Sequence, residues 1–73
     1  MKERVKAILA EVLNMEIESI SDDAAMSNIA NWDSLNHMLI LKQIEQAFEF
    51  KITLRTIQQT LSLDQILEHI KDN

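Results

Sequence analysis

Seventy-three residues with no Cys, Gly or Pro and a net charge of −5 bound the problem tightly. A chain of this length is expected to form one domain over residues 1–73, near the lower limit for folding unaided, with a single core cluster and no room for a deep catalytic cleft. The missing cysteines exclude a disulfide staple, a Cys-based zinc site and a thiol nucleophile, and the acidic balance disfavours nucleic acid and anionic membrane surfaces as partners.

Nothing resembles a signal peptide, because "MKERVKAILAEVL" carries charges through its apolar positions. No stretch approaches the roughly 20 apolar residues of a membrane span. A cytoplasmic location is the default expectation. The charge is uneven: residues 1–33 hold seven acids and three bases, whereas residues 34–73 hold five and four.

Val5, Ile8, Leu9, Val12 and Leu13 recur at i, i+3, i+4, i+7 and i+8, the mark of an amphipathic helix. Asn14 is a suitable end for it, since Asn tolerates the left-handed conformation. Residues 15–32 have no clean period and read as a long loop with at most one short turn, pinned by Ile17, Ile20, Met26 and Ile29. Loops of that length in small domains tend to be functional. A second helix is expected over 34–49, with Asp33 as N-cap. "FKITL" breaks the period, and "RTIQQT" suits a brief helix carrying Ile57. Ser62-x-x-Gln65 is a capping box, followed by Leu63, Ile66, Leu67 and Ile70 at helical spacing. The expected fold is all-α: a four-helix bundle of three main helices and one short one, with a long loop between helices 1 and 2.

The second helix has a peculiarity. With Ile44 set at 0° and about 100° per residue, Ile40, Leu41, Ala47 and Phe48 fall within roughly 60° of it and form a core stripe. Leu35, Met38 and Leu39 fall roughly 120–180° away, near the helix start and beside Ser34. Either the long loop covers them or they form an exposed apolar patch, which usually marks a contact surface. Met suits such a surface because its side chain adapts to several partners.

Asp33, Ser34 and His37 invite a nucleophile reading, but all three sit at one helix start. No separate element orients the His, and no Gly-rich turn supplies an oxyanion hole. His37 falls on the core side of the wheel, as a structural histidine would. A metal site from Asp33, His37 and His69 has no recognisable spacing, and none is expected. Ser34 is better placed to carry a phosphate, beside unpaired backbone N–H groups and the positive end of the helix dipole. The plain alternative is a serine that merely opens a helix.

"WDSLNHMLILKQIEQAFEFKI" resembles the attachment segment of acyl carrier proteins and related carrier domains, whose hallmark is Asp-Ser-Leu opening the second helix. The likeness extends to the first helix, the long loop and the "SLDQILEHI" helix. It implies that Ser34, flanked by Asp33 and Leu35, receives 4′-phosphopantetheine from coenzyme A through a magnesium-using phosphopantetheinyl transferase. It implies a monomeric, non-catalytic carrier whose arm holds acyl or aminoacyl thioesters. Its further partners would be an acyl- or aminoacyl-activating enzyme and ketosynthase- or acyltransferase-type enzymes, in a fatty-acid, polyketide or nonribosomal-peptide-type pathway. The chain departs from the pattern by Asn31-Trp32 before the Asp, where many members have Gly; Trp32 is expected to pack under the loop rather than flank the arm. It departs again in its second helix, usually rich in acids, where the outward positions include Asn36, Met38, Leu39, Lys42 and Gln46. Docking is therefore expected to rest on Leu35, Met38 and Leu39 more than on charge, with Lys42 and Glu45 alongside, and a pathway-specific carrier is favoured. The rival from another class is a small helical interaction module without a cofactor, in which Ser34 is only a helix-start residue.

Overall fold

In a computed structural model that describes residues 1–71, α1 (Lys2–Leu13) lies against α2 (Ser34–Ala47) and α4 (Leu63–Lys71), while the short α3 (Leu54–Gln58) packs on α2. A single 3₁₀ turn, Ile17–Ser19, interrupts the long connection between α1 and α2. The described residues form no β-ladder, only an isolated bridge between Ala25 and Ser62. None of their helices is long and apolar enough to cross a membrane. The all-α bundle of three main helices and one short one is the observed architecture.

The apolar periods dictate the core. Val5, Leu9 and Leu13 of α1, Ile40, Leu41 and Ile44 of α2, and Leu63, Ile66 and Ile70 of α4 are buried in one cluster. Each such side chain contributes about 1.5–3 kcal/mol when fully removed from water, which makes this cluster the main apolar contribution set against the ordering cost of the chain. Ile8, Val12, Ile17, Met26, Ile29, Phe48 and Leu67 pack half-buried around it.

The helix ends follow local chemistry. Asn14 closes α1 in the left-handed region, at φ 58° and ψ 49°, with its N–H directed to the carbonyls of Ala10 and Glu11. The second helix stops at Ala47 rather than 49, because the backbone turns extended at Phe48 (φ −135°). That turn lets Phe50 enter the core, while Phe48 stays half-buried beneath the Arg4 guanidinium, 4.8 Å from the ring centroid. Ser62 Oγ accepts from Gln65 N–H (3.1 Å), but the Gln65 side chain accepts from Leu61 N–H (2.9 Å), one residue earlier than a capping box requires. A reciprocal Thr box opens α3: Thr53 Oγ1 accepts from Thr56 N–H, and Thr56 Oγ1 accepts from Thr53 N–H.

The long connection is held at intervals. Met26 N–H donates to Leu61 O (2.8 Å) and Leu63 N–H to Ala24 O (2.9 Å), fastening the loop to the start of α4. Asn28 folds the segment on itself through Ala25 N–H and Asp23 O. Asp22 meets Lys6 (2.8 Å) and Lys2 (3.4 Å) of α1. Hydrogen bonds from Lys6 and Lys2, with their charges, hold the Asp22 carboxyl below its ordinary 3.8. A depressed folded-state pKa stabilises the fold above the ordinary value, and that contribution disappears as pH falls through the folded value. Asp22 is exposed, so the effect on stability is small. An NMR titration is expected to place the Asp22 midpoint below 3.8, and Lys6→Met to move it back upward.

Candidate functional site at the start of the second helix

The site is built on a chain of backbone ties. Asn31 Nδ2 donates to Leu13 O (3.1 Å), closing the end of α1, and Asn36 Nδ2 donates to Asn31 O (2.8 Å). Asp33, in extended conformation, caps α2 by accepting from Asn36 N–H at 2.9 Å. With Asp33 serving as the cap, the Ser34 hydroxyl is not needed for that task. Ser34 stands exposed at the first position of α2, where helix N–H groups lack partners inside the helix.

Beside it lies the apolar patch. Leu35 is 71% exposed, Leu39 48% and Met38 39%, so the loop does not cover them. Lys42 is exposed as well, whereas Glu45 is half-buried and lines a separate shallow groove with Phe48 and Phe50. Lys42 and Glu45 are the only charged residues of α2.

A cleft of about 290 Å³ also opens at Ser34. Its walls are Met26 of the loop, His37 and Met38 of α2, Ile57 and Gln58 of α3, and Leu61 between α3 and α4. The pairing of Ser34 with this mostly apolar hollow could not be found from the sequence, since Met26 and Leu61 come from distant segments.

His37 and Trp32 account for the inner side of the site. Trp32 is 2% exposed and packs in the core under the loop, as expected of it. Its Nε1–H donates to His37 Nδ1 at 3.0 Å, and His37 Nε2–H donates to Ile57 O at 2.9 Å. Indole N–H only donates and a backbone carbonyl only accepts, so the two partners fix the tautomer with the proton on Nε2. Both ring nitrogens are therefore occupied, and His37 has none left to activate Ser34. The structure does not gather Asp33, His37 and His69 into one site either: His69 Nδ1–H donates to Gln65 O (3.0 Å) on α4.

The arrangement suits a covalently attached phosphodiester. The hydroxyl is reachable by a modifying enzyme, the helix end favours a phosphate by about 0.3–1 kcal/mol, and the adjacent hollow offers apolar surface to whatever leaves it. A basic side chain is not required at such a position, because the backbone N–H groups supply the positive end.

The chain is 25% identical over 71 residues to an acyl carrier protein of Onion yellows phytoplasma (strain OY-M), covering 97% of this chain and 93% of that one. A family model described as "Phosphopantetheine attachment site" matches residues 3–70. The chain belongs to the phosphopantetheine-binding family of acyl carrier proteins, whose cofactor is covalently attached 4′-phosphopantetheine.

Proposed function

We propose that Ser34 is the attachment residue and that residues 1–73 act as one carrier domain, delivering acyl or aminoacyl groups to partner enzymes. The supporting observation is the Ser34 hydroxyl, exposed at the start of α2, free of capping duty and bordered by Leu35, Met38 and the cleft. In the loading step, Ser34 Oγ attacks the β-phosphorus of coenzyme A. An O–P bond forms, the pyrophosphate bond breaks, adenosine 3′,5′-bisphosphate leaves, and the hydroxyl proton passes to a base of the transferase. When bound, the cofactor supplies a thiol that holds acyl groups as thioesters. The chain's own residues perform three tasks. Asp33 fixes the helix start, the first-turn N–H groups not taken by that cap would hold the phosphate, and Leu35 begins the surface that a partner covers.

Partners of this reading are a phosphopantetheinyl transferase, an acyl- or aminoacyl-activating enzyme, and ketosynthase- or acyltransferase-type enzymes in the cytoplasm. The chain meets them as a monomer. A carrier visited by several enzymes needs a small, rapidly exchanging interface. The near-neutral α2 favours a pathway-specific carrier over a general one, since its outward face offers apolar contact and a single exposed cation.

Incubation with coenzyme A, magnesium and a promiscuous transferase, followed by intact mass measurement, tests the attachment. Gain of one phosphopantetheine supports it. No gain across several transferases supports the rival, a helical interaction module using the same patch without a cofactor. Docking has its own test. Leu35→Asp and Met38→Asp are each expected to lower transferase kcat/KM by about tenfold or more, as loss of an apolar anchor does. Glu45→Gln is expected to change it by less than about twofold, with helicity by circular dichroism unchanged in all three. A larger loss for Glu45→Gln would reverse the assignment.

A further inference from the structure

The cleft at Ser34 raises the question of how far an attached acyl chain can run into the bundle. Its lining is mostly apolar; of its three polar members, Ser34 and Gln58 are exposed and only the His37 ring, at 3% exposure, is buried. Ser34 and Met38, both exposed, stand at the rim; His37 therefore marks the inner end. The two hydrogen bonds of that ring cross the inner end from side to side, from Trp32 of the loop to Ile57 of α3.

The wall formed by α3 is otherwise lightly held. That helix has five residues and no fully buried side chain, and Ile57 packs only half-buried on the core. The His37 bond satisfies a carbonyl that a helix this short leaves without an internal partner. An alkyl chain sliding between α2 and α3 would have to break it. Two polar groups, the Nε2–H and the Ile57 carbonyl, would then lie against hydrocarbon with no water to bond. Each such group costs more than one buried methylene gains, so roughly five methylenes are needed to offset the pair.

Resting on the carrier reading, we propose that His37 is a specificity-determining residue that seals the inner end of the Ser34 cleft, so that acyl groups of up to about six carbons remain at the surface instead of entering the bundle. The cargo class is short acyl groups, presented openly to the partner enzyme. Trp32 belongs to the seal because its indole N–H occupies the other ring nitrogen and holds the imidazole in the orientation that reaches Ile57.

The test loads the full chain from acetyl-, butanoyl- and hexanoyl-coenzyme A with a promiscuous transferase and reads two properties of the loaded protein. One is the thermal midpoint, the other the ¹⁵N–¹H signal of the Trp32 indole, which is unambiguous because the chain has one Trp. In the wild type the three loaded forms are expected to melt within about 1 °C of one another, with the indole signal unmoved. In His37→Leu, which removes the polar crossing, the hexanoyl form is expected to melt about 4 °C or more above the acetyl form. His37→Gln, which retains one donor and one acceptor, is expected to restore the flat series. A wild-type midpoint that climbs with each added pair of carbons, with a shifting indole signal, overturns the proposal. So does a flat series in a folded His37→Leu. Should that variant fail to fold, the wild-type series decides alone. Failure to gain mass from any of the three thioesters overturns the carrier reading itself, and is distinguishable because no loaded protein exists.

Discussion

Ser34→Ala is expected to lose all capacity to accept phosphopantetheine while remaining as stable as the parent to within about 0.5 kcal/mol. The two halves of this result have separate causes. Transfer requires a nucleophilic oxygen at a surface the transferase can reach, and alanine has none. Stability does not depend on that oxygen, because the cap of α2 comes from Asp33 Oδ1 and the Ser34 side chain is exposed. Alanine is also the best helix former, so the first turn gains slightly in propensity. Two other hydroxyls are poor substitutes: Ser62 Oγ is engaged with Gln65 N–H, and Thr60 is buried with its hydroxyl on Thr56 O. The measurement is intact mass after incubation with coenzyme A, magnesium and transferase, paired with a thermal melt. Residual modification of the folded variant would move the attachment elsewhere. Asp33→Ala should show the reverse emphasis, with a stability loss of about 1 kcal/mol from the missing cap and a hydroxyl still present to react.

Much of this arrangement was legible in the sequence because it depends on short-range rules. The period of α1, its end at Asn14, the Asp33 cap and the outward placement of Leu35, Met38 and Leu39 all follow from neighbours within two helical turns. What was not legible depends on contacts between distant segments. The end of α2 at Ala47 reflects burial of Phe50, which competes with a helical period that would otherwise carry on. The loop's hold on α4 is a backbone bridge between residues far apart, and backbone groups leave no mark in side-chain pattern. The wheel put His37 on the core side, yet its partners, an indole in the loop and a carbonyl on α3, appear only when three segments meet. The Thr53–Thr56 box had a visible signal, two hydroxyls three apart at the start of a short apolar run, and was missed because Thr seldom fills the second position of that motif.

Trp32→Ala is expected to cost about 3–5 kcal/mol, the usual range for removing a buried aromatic. A domain of this length commands about 4–11 kcal/mol in total, so the variant gives up roughly a quarter or more of it and should melt well below the parent. Two losses combine. The cavity forfeits packing against the core cluster, and His37 Nδ1 is left as a buried acceptor with no donor. Trp32→Phe separates them, because it keeps most of the volume and removes only the N–H; about 1–3 kcal/mol is expected there. Urea unfolding followed by circular dichroism at 222 nm measures both, and an Ala variant weakened by less than about 1 kcal/mol would refute the packing role. The consequence for function follows from position. Trp32 immediately precedes the Asp33 cap, so the ring that anchors the loop also fixes where α2 begins and where Ser34 is displayed. A folded Trp32→Phe protein should therefore still be modified at Ser34, whereas the Ala variant should lose modification in proportion to its unfolded fraction, because the transferase needs the helix as well as the hydroxyl.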